Sequence, residues 1–182
     1  MNHLQLAIFE VVKSILGNEF INKSPKESGD KYVKPIIHNS AIRYGILNYV
    51  AKFSLANDDY LITQKCANHL KNNNLINAKG LLRAKKGSRY KFTFEHPVPA
   101  NIIGDLLYES RHDEETMLKI LEETNCVTVL TYDEDEQLRD FDLTRDMPKN
   151  WKIFRDSPFC RYSECDIEVP TMRIPVYGSL AR

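Results

Sequence analysis

Two neighbouring side chains form the most reactive pairing in this chain. In FTFEHPVP, Glu95 and His96 stand at the end of an alternating apolar run, just before Pro97 and Pro99. A neutral imidazole can take a proton from water. A carboxylate beside it can orient the ring, or hold a divalent cation that binds a phosphate oxygen and stabilises a leaving oxygen. His96 and Glu95 are therefore the candidate catalytic pair. Asp133-Glu134-Asp135-Glu136 follows the apolar run 126–132 and offers hard oxygen ligands of the kind Mg²⁺ or Mn²⁺ takes, so Asp133 and Asp135 are candidate metal ligands. Cys160 and Cys165 are the only closely spaced cysteines among the four, and a structural zinc site generally needs two such pairs, which argues against zinc. The cysteines read as reduced thiols, and the expected compartment is the cytoplasm.

The second chemical feature is charge. The chain has 182 residues, with 25 Lys and Arg against 25 Asp and Glu, a formal net charge of zero. Residues 1–100 hold 15 basic and 7 acidic residues, while 101–182 hold 10 basic and 18 acidic. The zero is a sum of opposite halves. Between Tyr60 and Phe94 stand eight basic residues (Lys65, Lys71, Lys79, Arg83, Lys85, Lys86, Arg89 and Lys91) with no acidic residue among them. Such a stretch is the electrostatic footprint of a polyanion-binding surface. Gln64, Asn68 and Asn72 lie in the same span, and side-chain amides can pair with adenine edges. The expected DNA-binding set is Gln64, Lys65, Asn68, Lys71, Asn72, Arg83, Lys85, Lys86, Arg89 and Lys91.

The elements that must carry these residues follow from periodicity. Leu4, Ile8, Val11, Val12, Ile15, Leu16 and Phe20 predict a helix over 3–20 that closes at Gly17 or Asn18. Residues 22–34 read as a loop. Ile42, Ile46, Leu47, Val50 and Phe53 predict a helix over 41–53, with Ser40 as its cap. Thr63 caps a further helix ending near Asn74, whose polar face carries the amides. Leu81-Leu82 and the run Tyr90 to Phe94 are strand-compatible, with Lys86-Gly87-Ser88 as a turn between them, so a basic β-hairpin is expected over 80–94. Residues 100–110 and 113–124 read as helices, the second opened by Asp113, Glu114 and Glu115 where carboxylates complement the macrodipole. Residues 126–132 form the strongest strand. A short helix is expected near 137–141, and 144–182, with four prolines, reads mostly as loop.

This order of helix, helix and basic hairpin over about 40–95 resembles the winged helix-turn-helix family. The resemblance implies that helix 63–74 enters a major groove, while Arg83, Lys85, Lys86 and Arg89 hold phosphates from the hairpin tip. NDDYLI, at 57–62, would be the short first helix of the pair. The string FTFEHPVP is similar to the first motif of HNH (ββα-metal) endonucleases. That similarity implies His96 as general base and Glu95 as a metal ligand or orienting group.

The expected fold class is α+β: a helical N-terminal part with a winged-helix-like hairpin over 1–99, then a smaller mixed part over 100–182. No apolar run approaches the ~20 residues that cross a bilayer, and the N-terminus lacks the features of a signal peptide. The leading expectation is a DNA-binding protein with an HNH-like, metal-dependent endonuclease activity in a mobile-element or restriction and defence setting. A non-catalytic winged-helix regulator and a protein-binding inhibitor or accessory factor of a host nucleic-acid enzyme are the alternatives. The oppositely charged halves suit a head-to-tail homodimer. Trp151, Phe154, Phe159 and Tyr162 read as a packing cluster over the tail.

Overall fold

The computed structural model describes residues 1–19 and 40–178. Expectations for the loop at 22–34 and for Phe20 fall outside them. The fold is α+β. Helix α1 (His3–Leu16) starts at a reciprocal cap, in which the Asn2 side chain accepts from the Gln5 amide while Gln5 accepts from the Asn2 amide. It ends at Gly17. Its buried stripe of Ile8, Phe9, Val12 and Leu16 packs with α2 (Ser40–Leu55), α4 (Ala100–Glu109) and α5 (Glu114–Glu123) into a helical core. Burying a Leu or Phe of this kind contributes about 2 kcal/mol each, so the stripe is what docks α1. Asp113 caps α5 by accepting from the Thr116 amide.

Beside this bundle lies a six-stranded mixed sheet. It is built from β1 (Asp59–Ile62), β2 (Ile76–Asn77), β3 (Gly80–Leu82), β4 (Phe92–Glu95), β5 (Thr128–Thr131) and β6 (Met172–Tyr177), in the spatial order β2-β3-β6-β1-β5-β4. Helix α3 (Gln64–Asn72) leaves β1 and covers the sheet through Cys66, Ala67 and Leu70. Helix α6 (Tyr132–Asp140) follows β5 directly, and α7 (Cys160–Glu164) closes a third small core with Leu130, Leu138 and Tyr162.

Several expectations change with the strand pairing. NDDYLI is not a helical turn: its last four residues are β1, parallel to β5 through Leu61 opposite Thr128, and antiparallel to β6 through Leu61 opposite Arg173. There is no wing hairpin over 80–94. Strand β3 pairs with β2 and β6, whereas β4 pairs with β5 through Phe94 opposite Val129, so three strands separate β3 from β4. The turn signal at 86–88 is met only by one isolated bridge between Gly87 and Phe92. The tail from 144 to 178 is mostly loop, as expected, but one of its two short pieces, β6, sits inside the sheet between β3 and β1. A glycine admits this neighbour: Gly80 has φ +98°, and a Cβ there would lie 2.1 Å from the Pro175 carbonyl oxygen. The acidic run 133–136 lies within α6 rather than ahead of a later helix. The sheet also crosses the expected boundary at 99/100, since β1 pairs with both β5 and β6.

Candidate nucleic-acid interface

Thr63 fixes where α3 begins. Its hydroxyl oxygen accepts from the Cys66 amide, and its hydroxyl donates to Glu134 at 3.0 Å. Glu134 is 3% exposed and also receives the backbone amide and the hydroxyl of Thr131 at 2.8 Å each. One buried carboxylate thus joins the starts of α3 and α6, which leave the adjacent parallel strands β1 and β5. With its inner stripe of Cys66, Ala67 and Leu70 committed to the sheet, α3 turns Gln64, Lys65, Asn68, Lys71 and Asn72 to solvent. Gln64 donates to Asn68 at 3.0 Å, one turn along, and so pre-orders that face. Lys65 lies 4.0 Å from Asp133.

Residues 83–91 cross from β3 to β4 through two single 3-10 turns, Arg83–Lys85 and Ser88–Tyr90. The His69 ring on α3 donates from Nε2 to the Tyr90 carbonyl at 2.9 Å, which ties the second turn against the helix. Lys71 of α3 and Arg89 and Lys91 of the turn are exposed around this link, and Lys85 is half-buried. Arg89 leans on the Tyr90 ring at 5.7 Å. Lys86 lies 5.4 Å above the Phe94 ring, where burial and then Lys52 lower its pKa.

Arg83 differs from the other cations. Its guanidinium donates to the Tyr60 hydroxyl at 3.0 Å, to the Gly178 carbonyl at 3.2 Å and to the Asn57 carbonyl, and it stacks 5.5 Å from the Tyr60 ring. It fastens the end of β6 to β1 and is engaged with backbone rather than presented outward.

The Glu95-His96 pair is also built into the fold. Arg161, fully buried at 0% exposure, forms an ion pair with one Glu95 oxygen, and the Tyr162 hydroxyl donates to the other. Arg161 further donates to the carbonyls of Pro97 at 2.7 Å, Leu143 at 2.6 Å, Thr144 at 3.3 Å and His96. Its Nε and both terminal nitrogens are engaged, which is how a guanidinium is tolerated inside a protein. Burial lowers its pKa to about 10 and pushes the Tyr162 phenol up. His96 Nε2 donates to the Ala51 carbonyl at 3.3 Å, leaving Nδ1 without the proton. Burial, opposed by that bond and aided by nearby Lys86, holds the imidazole below its ordinary value of 6.5.

The expected metal set is not gathered. Glu95 lies opposite Thr128 at the beginning of β5, whereas Asp133 follows the other end of that strand, about 10 Å along it. Asp133 faces Lys65, and Asp135 lies 3.8 Å from Arg139. Among the described residues, no group of three or more His, Cys, Asp or Glu side chains is arranged to hold a metal ion. Nothing in the sequence read by itself marked Arg161 and Tyr162 as partners of Glu95. The Thr131-x-x-Glu134 capping box, by contrast, was readable from spacing.

Compared with protein-family models, with curated proteins and with solved structures, the chain matches none. Its own geometry therefore carries the functional reading. No helix among the described residues is long and apolar enough to cross a membrane. Cys66 and Cys126 sit where burial raises their thiol pKa to about 12 and about 11, which suits packing rather than nucleophilic work.

Proposed function

We propose that this protein binds DNA through the exposed face of α3 together with the turns of residues 83–91. The observation that carries the reading is the His69–Tyr90 hydrogen bond, which joins an amide-bearing helix face to cation-bearing turns in a stretch of chain free of carboxylates from 61 to 93. Lys71, Lys85, Arg89 and Lys91 would neutralise phosphates, and Gln64, Asn68 and Asn72 would meet base edges or the sugar backbone. Arg83 and Lys65 contribute less, the first because it clamps β6 to β1, the second because Asp133 already faces it.

The reading is of binding rather than cleavage. Both Glu95 oxygens have partners inside the fold, and the remaining metal-ligand candidates stand at the far end of β5. The test is fluorescence anisotropy on a labelled duplex across a salt series, with a parallel Mg²⁺ or Mn²⁺ cleavage assay on plasmid DNA. Binding that weakens steeply with salt, without cleavage, supports the reading. Cleavage abolished by His96→Ala would restore the endonuclease alternative, and absence of binding at low salt would leave the protein-binding alternative.

A further inference from the structure

A second surface includes Glu95 and His96 in its lining. The first turns of α2, the end of β4, the start of α4 and residues 144–145 enclose an open groove of about 620 Å³. That is within the range of roughly 300–1,000 Å³ for sites that take a small molecule. Arg43, Tyr44, Asn48, His96, Asn101 and Arg145 line it.

Its charge is the informative property. The one carboxylate on the floor, Glu95, is already paired with Arg161 and Tyr162. Arg43 is balanced at the rim by Asp105 at 2.9 Å. Arg145 has no ion-pair partner among the described residues, although Asn101 Nδ2 donates to its backbone carbonyl at 2.8 Å and so fixes the main chain that carries it. Lys86 Nζ lies 5.4 Å from the ring of Phe94, another residue of the lining, and its charge lowers the pKa of His96. Helix α4 opens onto the same groove from Pro99, with no side-chain cap and no acid in its first turn. Tyr44, 70% exposed, offers an aromatic ring at the mouth. Asn48 and Asn101 use their amide nitrogens on backbone carbonyls, which leaves their amide oxygens able to accept. An unpaired arginine, a second arginine at the rim, an exposed ring and two amide acceptors together fit an anion that carries a flat, hydrogen-bonding ring.

We propose that this groove binds a nucleoside monophosphate unit, with the phosphate on Arg145 and Arg43 and the base against Tyr44. The unit could be a free nucleotide or the 5′-phosphorylated end of a strand, because both present the same chemistry. This proposal does not rest on DNA binding by α3 and the turns.

The experiment is a calorimetric titration of the full chain with deoxyadenosine monophosphate, deoxyadenosine and inorganic phosphate. The monophosphate should bind at least about tenfold more tightly than either of the others. Arg145→Gln should remove the advantage over deoxyadenosine, and Tyr44→Ala the advantage over inorganic phosphate, with the melting temperature of each variant checked for an intact fold. Failure of the monophosphate to bind, or unchanged binding by a folded Arg145→Gln variant, overturns the proposal. A 5′-phosphorylated oligonucleotide compared with its 5′-hydroxyl counterpart separates the sources. A preference lost in Arg145→Gln assigns the strand end, and equal affinity assigns the free nucleotide. Duplex binding through α3 should be unchanged in both groove variants, so failure of either reading shows without the other.

Discussion

The cluster around Arg161 and the face of α3 are both assembled from charged residues, and the fold treats them in opposite ways. Arg161 is withdrawn from water entirely, and each of its nitrogens meets an oxygen of β4, of the segment after α6 or of the turn into α4. Lys71, Arg89 and Lys91 are left in solvent, and among the described residues none of them has a carboxylate at ion-pair distance. A charge that is buried and fully partnered belongs to the architecture. A cluster of like charges left in water stabilises nothing by itself, and its use lies in what it attracts. Glu95, which in sequence has the company of a catalytic residue, falls on the architectural side of this division.

That contrast can be broken most forcefully at its buried end. Arg161→Met leaves the Glu95 carboxylate without its cation and should cost about 3–5 kcal/mol, read as a shift in the urea midpoint. A loss under about 1 kcal/mol would mean that the cluster is not structural. Glu134→Ala removes the acceptor shared by Thr63 and Thr131 and frees the starts of α3 and α6. A loss of about 2 kcal/mol is expected, with the duplex affinity of the folded fraction falling as well because α3 is mis-set. His96 supplies a smaller, pH-dependent effect. Its native pKa is depressed below 6.5, so between the two values the unfolded chain holds a proton the native chain does not. Stability should therefore be complete above about pH 6.5 and fall as the pH drops toward the native value, and His96→Gln should flatten that slope in urea titrations at a series of pH values. At the open end, Lys71→Ala, Lys85→Ala and Arg89→Ala together should change stability by no more than about 0.5 kcal/mol.

Local rules made part of this structure legible in the sequence. The cap at Thr63, the apolar stripe of α3, the acidic start of α5 and the helix at 100–109 follow from residues within a few positions of each other, where 3.6-residue periodicity and capping operate. Strand partners were not legible, because pairing is decided between distant segments. Tyr90 to Phe94 and Leu81-Leu82 look like the arms of one hairpin, yet β5 and β6 outcompete each for the other. Pro170 and Pro175 hid β6, although Pro175 lies within a strand, opposite Asp59. The same limit applies at the site: Glu95 and Arg161 are 66 residues apart, and only the fold shows that they neutralise each other. The face of α3 was readable because its amides and cations share one helix, and what the structure added was the His69–Tyr90 link to the turns.

The most direct test of the central claim is duplex affinity as a function of salt for the wild type and for the Lys71→Ala, Lys85→Ala, Arg89→Ala variant. If the face of α3 and the adjoining turns hold phosphates, the slope of log affinity against log salt should fall by about 3 while the melting temperature stays put. An unchanged slope in a folded variant would contradict the account.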